Sequence, residues 1–185
     1  MRSAVAALAI TASLAATLSF ATAPASAEPN RDLINKSSGG RLALLNNSTA
    51  EGATAITLRS PSWKYTTEEW ETTLSAWQAD EPNTYTATIR NQAANKCLQP
   101  ASATAERGTT IVVRTCNGSE LQKWSMFSEK VGDQHTTWWI WRPMVNKNVA
   151  MALNRYNDGS WDTLHLDTAY PSNDRLWRAR PNDAP

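Results

Sequence analysis

The chain carries one unit three times, and each copy closes on a tryptophan. Trp70, Trp124 and Trp177 recur at spacings of 54 and 53 residues, and the strands that open the second and third copies, at Tyr85 and Thr136, lie 51 residues apart. A fixed period of this length marks one supersecondary unit whose neighbouring copies complete a core that none could bury alone. The copies span residues 32–80, 84–130 and 134–179.

The middle copy is the clearest. Ile111 and Val113 alternate with Thr110, Val112 and Arg114, the period of a half-buried strand. Gly108 before them and Asn117-Gly118 after them are turn residues that tolerate positive φ. Gln122 and Trp124 are two apart, so on a strand they share a face, where the indole removes a large apolar area from water and the amide satisfies backbone groups at a turn. In the first copy, Leu33-Ile34, Arg41–Leu45 and Ala55–Leu58 read as strands and 37–40 as a turn, with Glu28–Arg31 an exposed lead-in. Residues 178–185 read as a tail. Nine prolines, seven glycines and no long helical period fit an all-β, barrel-like domain. One stretch conflicts: Thr66–Gln78 also reads as a capped amphipathic helix, although the repeat requires strand plus loop there. Trp63 and Trp77 have no place in the repeat.

Cys97-Leu98, Gly108-Thr109, Ile111, Val113, Cys116-Asn117-Gly118 and Gln122-Lys123-Trp124 together resemble the Q-x-W repeat of ricin-type lectin domains. The resemblance implies a β-trefoil of three degenerate repeats. Glu68-Glu69-Trp70 and Arg175-Leu176-Trp177 then stand where Gln122-Lys123-Trp124 stands, which makes Trp70, Gln122, Trp124 and Trp177 structural. In the third copy, Asn146–Val149 aligns with Asn95–Leu98, and Leu164 and Leu166 align with Ile111 and Val113.

Residues 1–27 read as a secretory leader: Arg2, an apolar run over residues 4–20, and an Ala25-Ser26-Ala27 cleavage site. Cleavage there leaves 158 residues, 28–185, one domain's worth, with 17 basic and 17 acidic side chains. Such a balance argues against nucleic acid or an anionic membrane as the main partner, and no later stretch is apolar for long enough to span a bilayer. In a secreted chain, two cysteines are most simply one disulfide; Cys97–Cys116 closes a loop of roughly twenty residues, worth about 3 kcal/mol in the chain-entropy model. With His135 and His165 the only histidines, the sequence offers no metal site and calls for no cofactor.

In the resembled family a sugar site combines an aspartate just after the Cys-Leu pair, an aromatic ring two residues before the second cysteine, and an asparagine just before the Q-x-W glutamine. The ring stacks on a pyranose while the polar groups bind its hydroxyls. Here those positions hold Gln99, Arg114 and Leu121 in the second copy, Ala150, Asp167 and Asp174 in the third, and Ala43, Arg59 and Thr67 in the first. Gln99, Arg114 and Asn117 form the leading candidate site, and an arginine fork suits an acidic sugar. Trp139, Trp161 and Asp162 form a competing one, with Trp161 in a polar loop beside Asp158 and Gly159 and with Trp138 or Trp141 as alternative exposed rings. The expected function is non-catalytic binding of a carbohydrate or glycoconjugate outside the cell. The alternative is a protein-binding trefoil with vestigial sugar sites, a toxin receptor-binding subunit or an inhibitor. Glu68, Glu69 and Glu71 could supply paired carboxylates for glycoside hydrolysis, but surface acidic clusters are far commoner. Asn35, Asn46, Asn47 and Asn117 lie in glycosylation-type sequons. Thiol titration of the denatured, unreduced protein is expected to find no free cysteine; two free thiols would refute the pairing.

Overall fold

The computed structural model describes residues 27–59, 64–154 and 160–181. Residues 1–26, read above as most of a leader, Pro61 and Trp63, Asp158 and Gly159, and residues 182–185 lie outside them. Twelve strands follow in order: β1 Ala27–Asn35, β2 Arg41–Leu44, β3 Ala55–Leu58, β4 Trp70–Trp77, β5 Thr84–Asn91, β6 Lys96–Pro100, β7 Ile111–Thr115, β8 Lys123–Val131, β9 Gln134–Pro143, β10 Val149–Asn154, β11 Trp161–Thr168 and β12 Leu176–Pro181. The first and fourth strands of each repeat build a closed antiparallel barrel, in the order β1, β4, β5, β8, β9, β12 and back to β1. The hairpins β2–β3, β6–β7 and β10–β11 cap one end. They are tied to one another by β3–β11 pairing and by the bridges Thr54–Val112 and Thr110–His165. This is the β-trefoil that the resemblance implied.

Closure explains two departures from the sequence reading. Glu28–Arg31 is not a lead-in but part of β1, paired with β4 through Glu28–Thr72 and Arg31–Trp70. Residues 178–181 are not tail but the end of β12, lying against β1 from Ile34 to Arg31. A barrel has no edge to leave open, so its first and last strands must run long enough to pair with each other. The same constraint decides Thr66–Gln78. A 3-10 turn covers Thr66–Glu68, and Trp70–Trp77 is β4, flanked by β1 and β5. Only an extended segment can satisfy the backbone groups of both neighbours.

The three closing tryptophans are fully buried, and each indole N–H donates to a hairpin carbonyl of its own repeat: Trp70 to Leu42 O at 2.9 Å, Trp124 to Leu98 O at 3.0 Å and Trp177 to Met151 O at 3.2 Å. Asn35 and Asn91 add a second link. Their side-chain amides donate to Asp174 O (3.0 Å) and Thr67 O (2.8 Å), fastening each repeat to the turn of the one before. Pro143 holds the same register opposite Trp124 as Asn91 holds opposite Trp70, so the third repeat lacks that link. Asn35 is fully buried, which removes it as a glycosylation acceptor in the folded protein.

These bonds also fix the register between repeats. Leu42, Leu98 and Met151 are equivalent, and Met151 faces Leu166 as Leu98 faces Val113. Ala152, not Ala150, therefore stands in the place of Gln99. In the first repeat, Leu58 rather than Arg59 stands in the place of Arg114, because Leu58 pairs with Arg41 as Arg114 pairs with Cys97. The β9–β10 turn is one residue longer than its counterparts, eight steps from Pro143 to Met151 against seven from Asn91 to Leu98, and alignment by residue type alone misses this. Trp124→Ala is expected to cost about 3–5 kcal/mol and Lys130→Ala, on the exposed end of β8, close to nothing. Equal melting temperatures for Trp124→Ala and wild type would contradict the packing.

Candidate functional site

Each closing tryptophan is preceded by a 3-10 turn, at Thr66–Glu68, Glu120–Gln122 and Asn173–Arg175, and each turn ends in a buried polar side chain. The three repeats satisfy that side chain differently. Gln122 accepts from the amides of Asn117 (2.8 Å) and Gly118 (3.3 Å) and donates to Thr115 O (2.9 Å) and Gln99 Oε1 (3.0 Å). Glu68 accepts from Arg41 Nε (2.6 Å) and from the Tyr65 amide (2.7 Å). Arg175 donates to Asp167 Oδ2 and Asp174 Oδ2, both at 2.6 Å, to Ser172 Oγ at 2.8 Å and to Thr168 O at 2.9 Å.

What lies above each anchor follows from that choice. Above Glu68, the outer faces of Ala43, Ile56 and Leu58 are covered by Leu45, Tyr65 and Trp161, so the first repeat is filled with apolar side chains. Above Gln122, the disulfide between Cys97 and Cys116 holds the end of β7 against β6. Above Arg175 there is a polar cleft of about 430 Å³ lined by Asp167, Tyr170, Asn173, Asp174 and Arg175, with Ser37 and Leu153 at its edges. The Tyr170 ring lies 4.3 Å from the Arg175 guanidinium and its side chain is 50% exposed. Asp167 also accepts from Arg107 Nε at 2.5 Å and from the Thr168 amide at 2.8 Å.

The sequence-derived candidates are scattered among these places. Gln99 is half-buried, and its carbonyl is held by Gln122. Arg114 is exposed and stands 3.9 Å from Glu51, whose carboxylate also takes the Thr115 amide at 3.1 Å. Asn117 caps its own turn by accepting from the Ser119 amide at 3.0 Å. Trp161 and Asp162 belong to the first repeat's surface, because β11 pairs with β3 at Trp161–Leu58 and Asp162–Thr57. Asp162 is buried and accepts from Arg59 Nη2 at 3.0 Å. Trp139 is on β9, which pairs with β8 and β12 and with neither β11 nor β3, and it shares the inner face with the fully buried Trp141. Trp138, on the opposite face, meets Arg178 at 4.6 Å and Lys36 at 5.7 Å. The grouping of Trp139 with Trp161 and Asp162 is therefore corrected: strand pairing separates them. Tyr170 and the Arg175-centred pairing went unnoticed in the sequence. The one available signal was Asp167, Asp174 and Arg175 crowded around the end of a strand.

Residues 69–163 match the ricin-type beta-trefoil lectin domain-like family, more than half of the chain. The chain belongs to that family. The matched span runs from the end of the first repeat to the first residues of β11 and centres on the well-preserved middle copy. No curated protein sequence is matched. Among solved structures, the designed three-fold symmetric protein ThreeFoil is 17% identical, with a TM-score of 0.62 over 81% of this chain and 96% of its own. The Rhizoctonia solani agglutinin is 14% identical, with a TM-score of 0.60 over 89% of this chain and 100% of its own. A Polyporus squamosus lectin, solved with Neu5Aca2-6Galb1-4GlcNAc bound, is 20% identical, with a TM-score of 0.58 over 87% of this chain, which spans half of that lectin. At these identities the likeness is one of fold.

In this lectin-like domain the shifted ionisable groups include Asp167 and His165 on β11 as well as Glu51, whose carboxyl the Thr115 amide, with Arg114 and Lys96, holds below its ordinary value against burial. Burial pushes the Asp167 carboxyl up, but the Thr168 amide, Arg107 and Arg175 outweigh it and hold the carboxyl below its ordinary value of 3.8. Burial also pushes His165 below its ordinary value, against the pull of Asp167. Among the described residues, no group of three or more His, Cys, Asp or Glu is placed to hold a metal ion. Because the folded carboxyl of Asp167 is the stronger acid, its stabilising contribution is complete above the unfolded-state pKa and is lost as pH falls through the folded one. The unfolding free-energy gap between wild type and Asp167→Asn, measured by urea denaturation, is expected to be constant near neutrality and to shrink below about pH 4. A gap independent of pH down to about 2 would contradict the pairing.

Proposed function

We propose that this chain is a secreted, non-catalytic carbohydrate-binding module whose sugar site is the cleft of the third repeat. The observation that carries the reading is the buried Arg175 holding two carboxylates and an aromatic ring around one polar hollow. Two carboxylates and a ring stand there in a new arrangement: Asp167 occupies the family's usual ring position, Asp174 the usual amide position, and Tyr170 supplies the ring from the following loop. Each carboxylate oxygen has lone pairs beyond those used by arginine, so sugar hydroxyls can donate to them. The exposed part of the Tyr170 ring offers a stacking surface. Two acids at the rim disfavour an anionic ligand, so a neutral, hydroxyl-rich sugar fits better than a uronic or sialic acid.

The second repeat is the weaker site on the same grounds. Glu51 stands beside Arg114, and Gln122 takes the Gln99 carbonyl. Two of the acidic residues considered for hydrolysis are engaged with arginines, Glu68 with Arg41 and Glu71 with Arg90, which supports binding without catalysis. The leader-like N-terminal sequence and the disulfide support secretion.

A glycan array spanning neutral, sialylated and uronic glycans tests the reading. Binding to neutral glycans is expected, weakened about tenfold or more by Tyr170→Ala and by Asp174→Ala and unchanged by Arg114→Ala. Binding abolished by Arg114→Ala but not by Tyr170→Ala would move the site to the second repeat. Silence across the array would favour the protein-binding alternative.

A further inference from the structure

The hollows of the second and third repeats are each completed by the repeat before. The loop inside each of the β2–β3 and β6–β7 hairpins carries a glycine of positive φ three residues ahead of the returning strand, Gly52 before Ala55 and Gly108 before Ile111. From that glycine the backbone runs along the next repeat's hairpin. Gly52 N–H donates to Val113 O at 2.9 Å, and Ala53 O accepts from the Val113 amide at 3.0 Å. One repeat on, Gly108 N–H donates to Leu166 O at 2.7 Å, and Thr109 O accepts from the Leu166 amide at 2.8 Å. The bridges Thr54–Val112 and Thr110–His165 continue the two ladders. The second loop is held on another side too, where Asn146 Nδ2 donates to the carbonyl of the buried Ala105 at 3.1 Å.

The residue before each glycine is charged, and both reach the same place. Glu51 accepts from the Thr115 amide at 3.1 Å and stands 3.9 Å from Arg114. Arg107 donates through Nε to Asp167 Oδ1 at 2.5 Å. Arg114 and Asp167 are equivalent, since each follows the residue that pairs with Leu98 or its counterpart Met151. The contact is therefore one and the same, with its charges exchanged. The Arg107 side chain stays 74% exposed, so its ion pair adds little to stability. Its effect is local. Arg107 and the Thr168 amide occupy Asp167 Oδ1, while Arg175 takes Oδ2 through one terminal nitrogen. Without Arg107, the carboxylate is free to turn both oxygens toward the Arg175 guanidinium, the pairing that arginine and carboxylate favour, and fewer lone pairs remain for a sugar.

We propose that Arg107, a residue of the second repeat, is a positioning residue of the third-repeat cleft, fixing the orientation in which Asp167 meets a sugar hydroxyl, a role that rests on that cleft being the sugar site. Arg107 acts through Asp167 and is not among the residues that line the cleft. The other charged and titratable groups around Asp167 are Arg175 and Asp174 from the turn before β12 and His165 from its own strand, with Tyr170 against Arg175. Removing Arg107 takes a cation from beside the carboxyl and raises its pKa, so a site that needs the ionised form is lost at a higher pH as pH falls.

The test uses the neutral glycan that the array ranks first, titrated calorimetrically into the purified protein between about pH 3 and 7. Arg107→Ala is expected to melt close to wild type, to bind about fivefold more weakly near neutrality, and to lose binding at a higher pH than wild type does. Arg107→Lys, which keeps the cation, is expected to hold the wild-type acid limit, a readout that a merely structural role would not separate from Arg107→Ala. Glu51→Ala removes the corresponding residue of the first repeat and is expected to change neither affinity nor acid limit. Wild-type affinity and acid limit in Arg107→Ala would overturn the assignment and leave the cleft standing. So would an equal loss of affinity in Glu51→Ala, or an acid limit in Arg107→Lys that moves as far as in Arg107→Ala. Binding that Tyr170→Ala leaves unchanged would instead remove the sugar site from the cleft, and the role of Arg107 with it.

Discussion

The fold depends on one hydrogen bond made three times, from a buried indole N–H to the carbonyl of a hairpin strand in the same repeat. Tryptophan is the one side chain that fills the barrel's cap end and also supplies a donor at the edge of its own apolar surface. The barrel strands give the indole its position, and the carbonyl it reaches fixes how far the hairpin folds over. Without that bond, a hairpin could slide by two residues and keep the same inward-facing pattern. The interaction therefore sets the register of the cap, and through it which side chains face the outer hollows.

Above that shared frame, each repeat solves one local problem differently. The residue two ahead of each closing tryptophan is buried and polar, and it must be satisfied. Glutamine does so with backbone groups and a neighbouring amide, glutamate with Arg41, and arginine with two aspartates. The neutral and singly paired solutions close in on themselves. The arginine, with its five donors, draws two carboxylates toward the surface and leaves them partly exposed. Divergence at one structural position thus produces an apolar plug in one repeat, a disulfide-tied loop in the second and a charged cleft in the third.

The lower half of the barrel breaks three-fold symmetry in another way. Small residues at Thr72 and Ala179 sit opposite a methionine, and the aromatic residues cluster on β5 and β9. A trefoil core is packed in layers, so a change of size at one layer leaves space that neighbouring layers cannot fill without moving the strands. The cap layer, where all three positions are tryptophan, is dense; the layers toward the open end are not.

The sequence by itself determined the architecture. A period set by tryptophans, strand-length alternation around Ile111 and turn residues at Gly108 and Asn117-Gly118 leave little but a three-fold β fold, because each is a local choice that the whole must respect. It also determined the disulfide, since two cysteines allow one pairing. What only the tertiary structure decided is which side chains meet. Trp161 and Asp162 serve the first repeat and not the third because β11 pairs across the cap with β3. Residues 28–31 and 178–181 are barrel strands because the barrel must close on itself. The cleft at Arg175 was invisible as a site because its parts stand at family positions under exchanged identities, and only coordinates show Tyr170 beside them. Spacing along a chain fixes local structure; contacts between repeats depend on turn lengths, and a single added residue in the β9–β10 turn was enough to misplace a whole column of side chains.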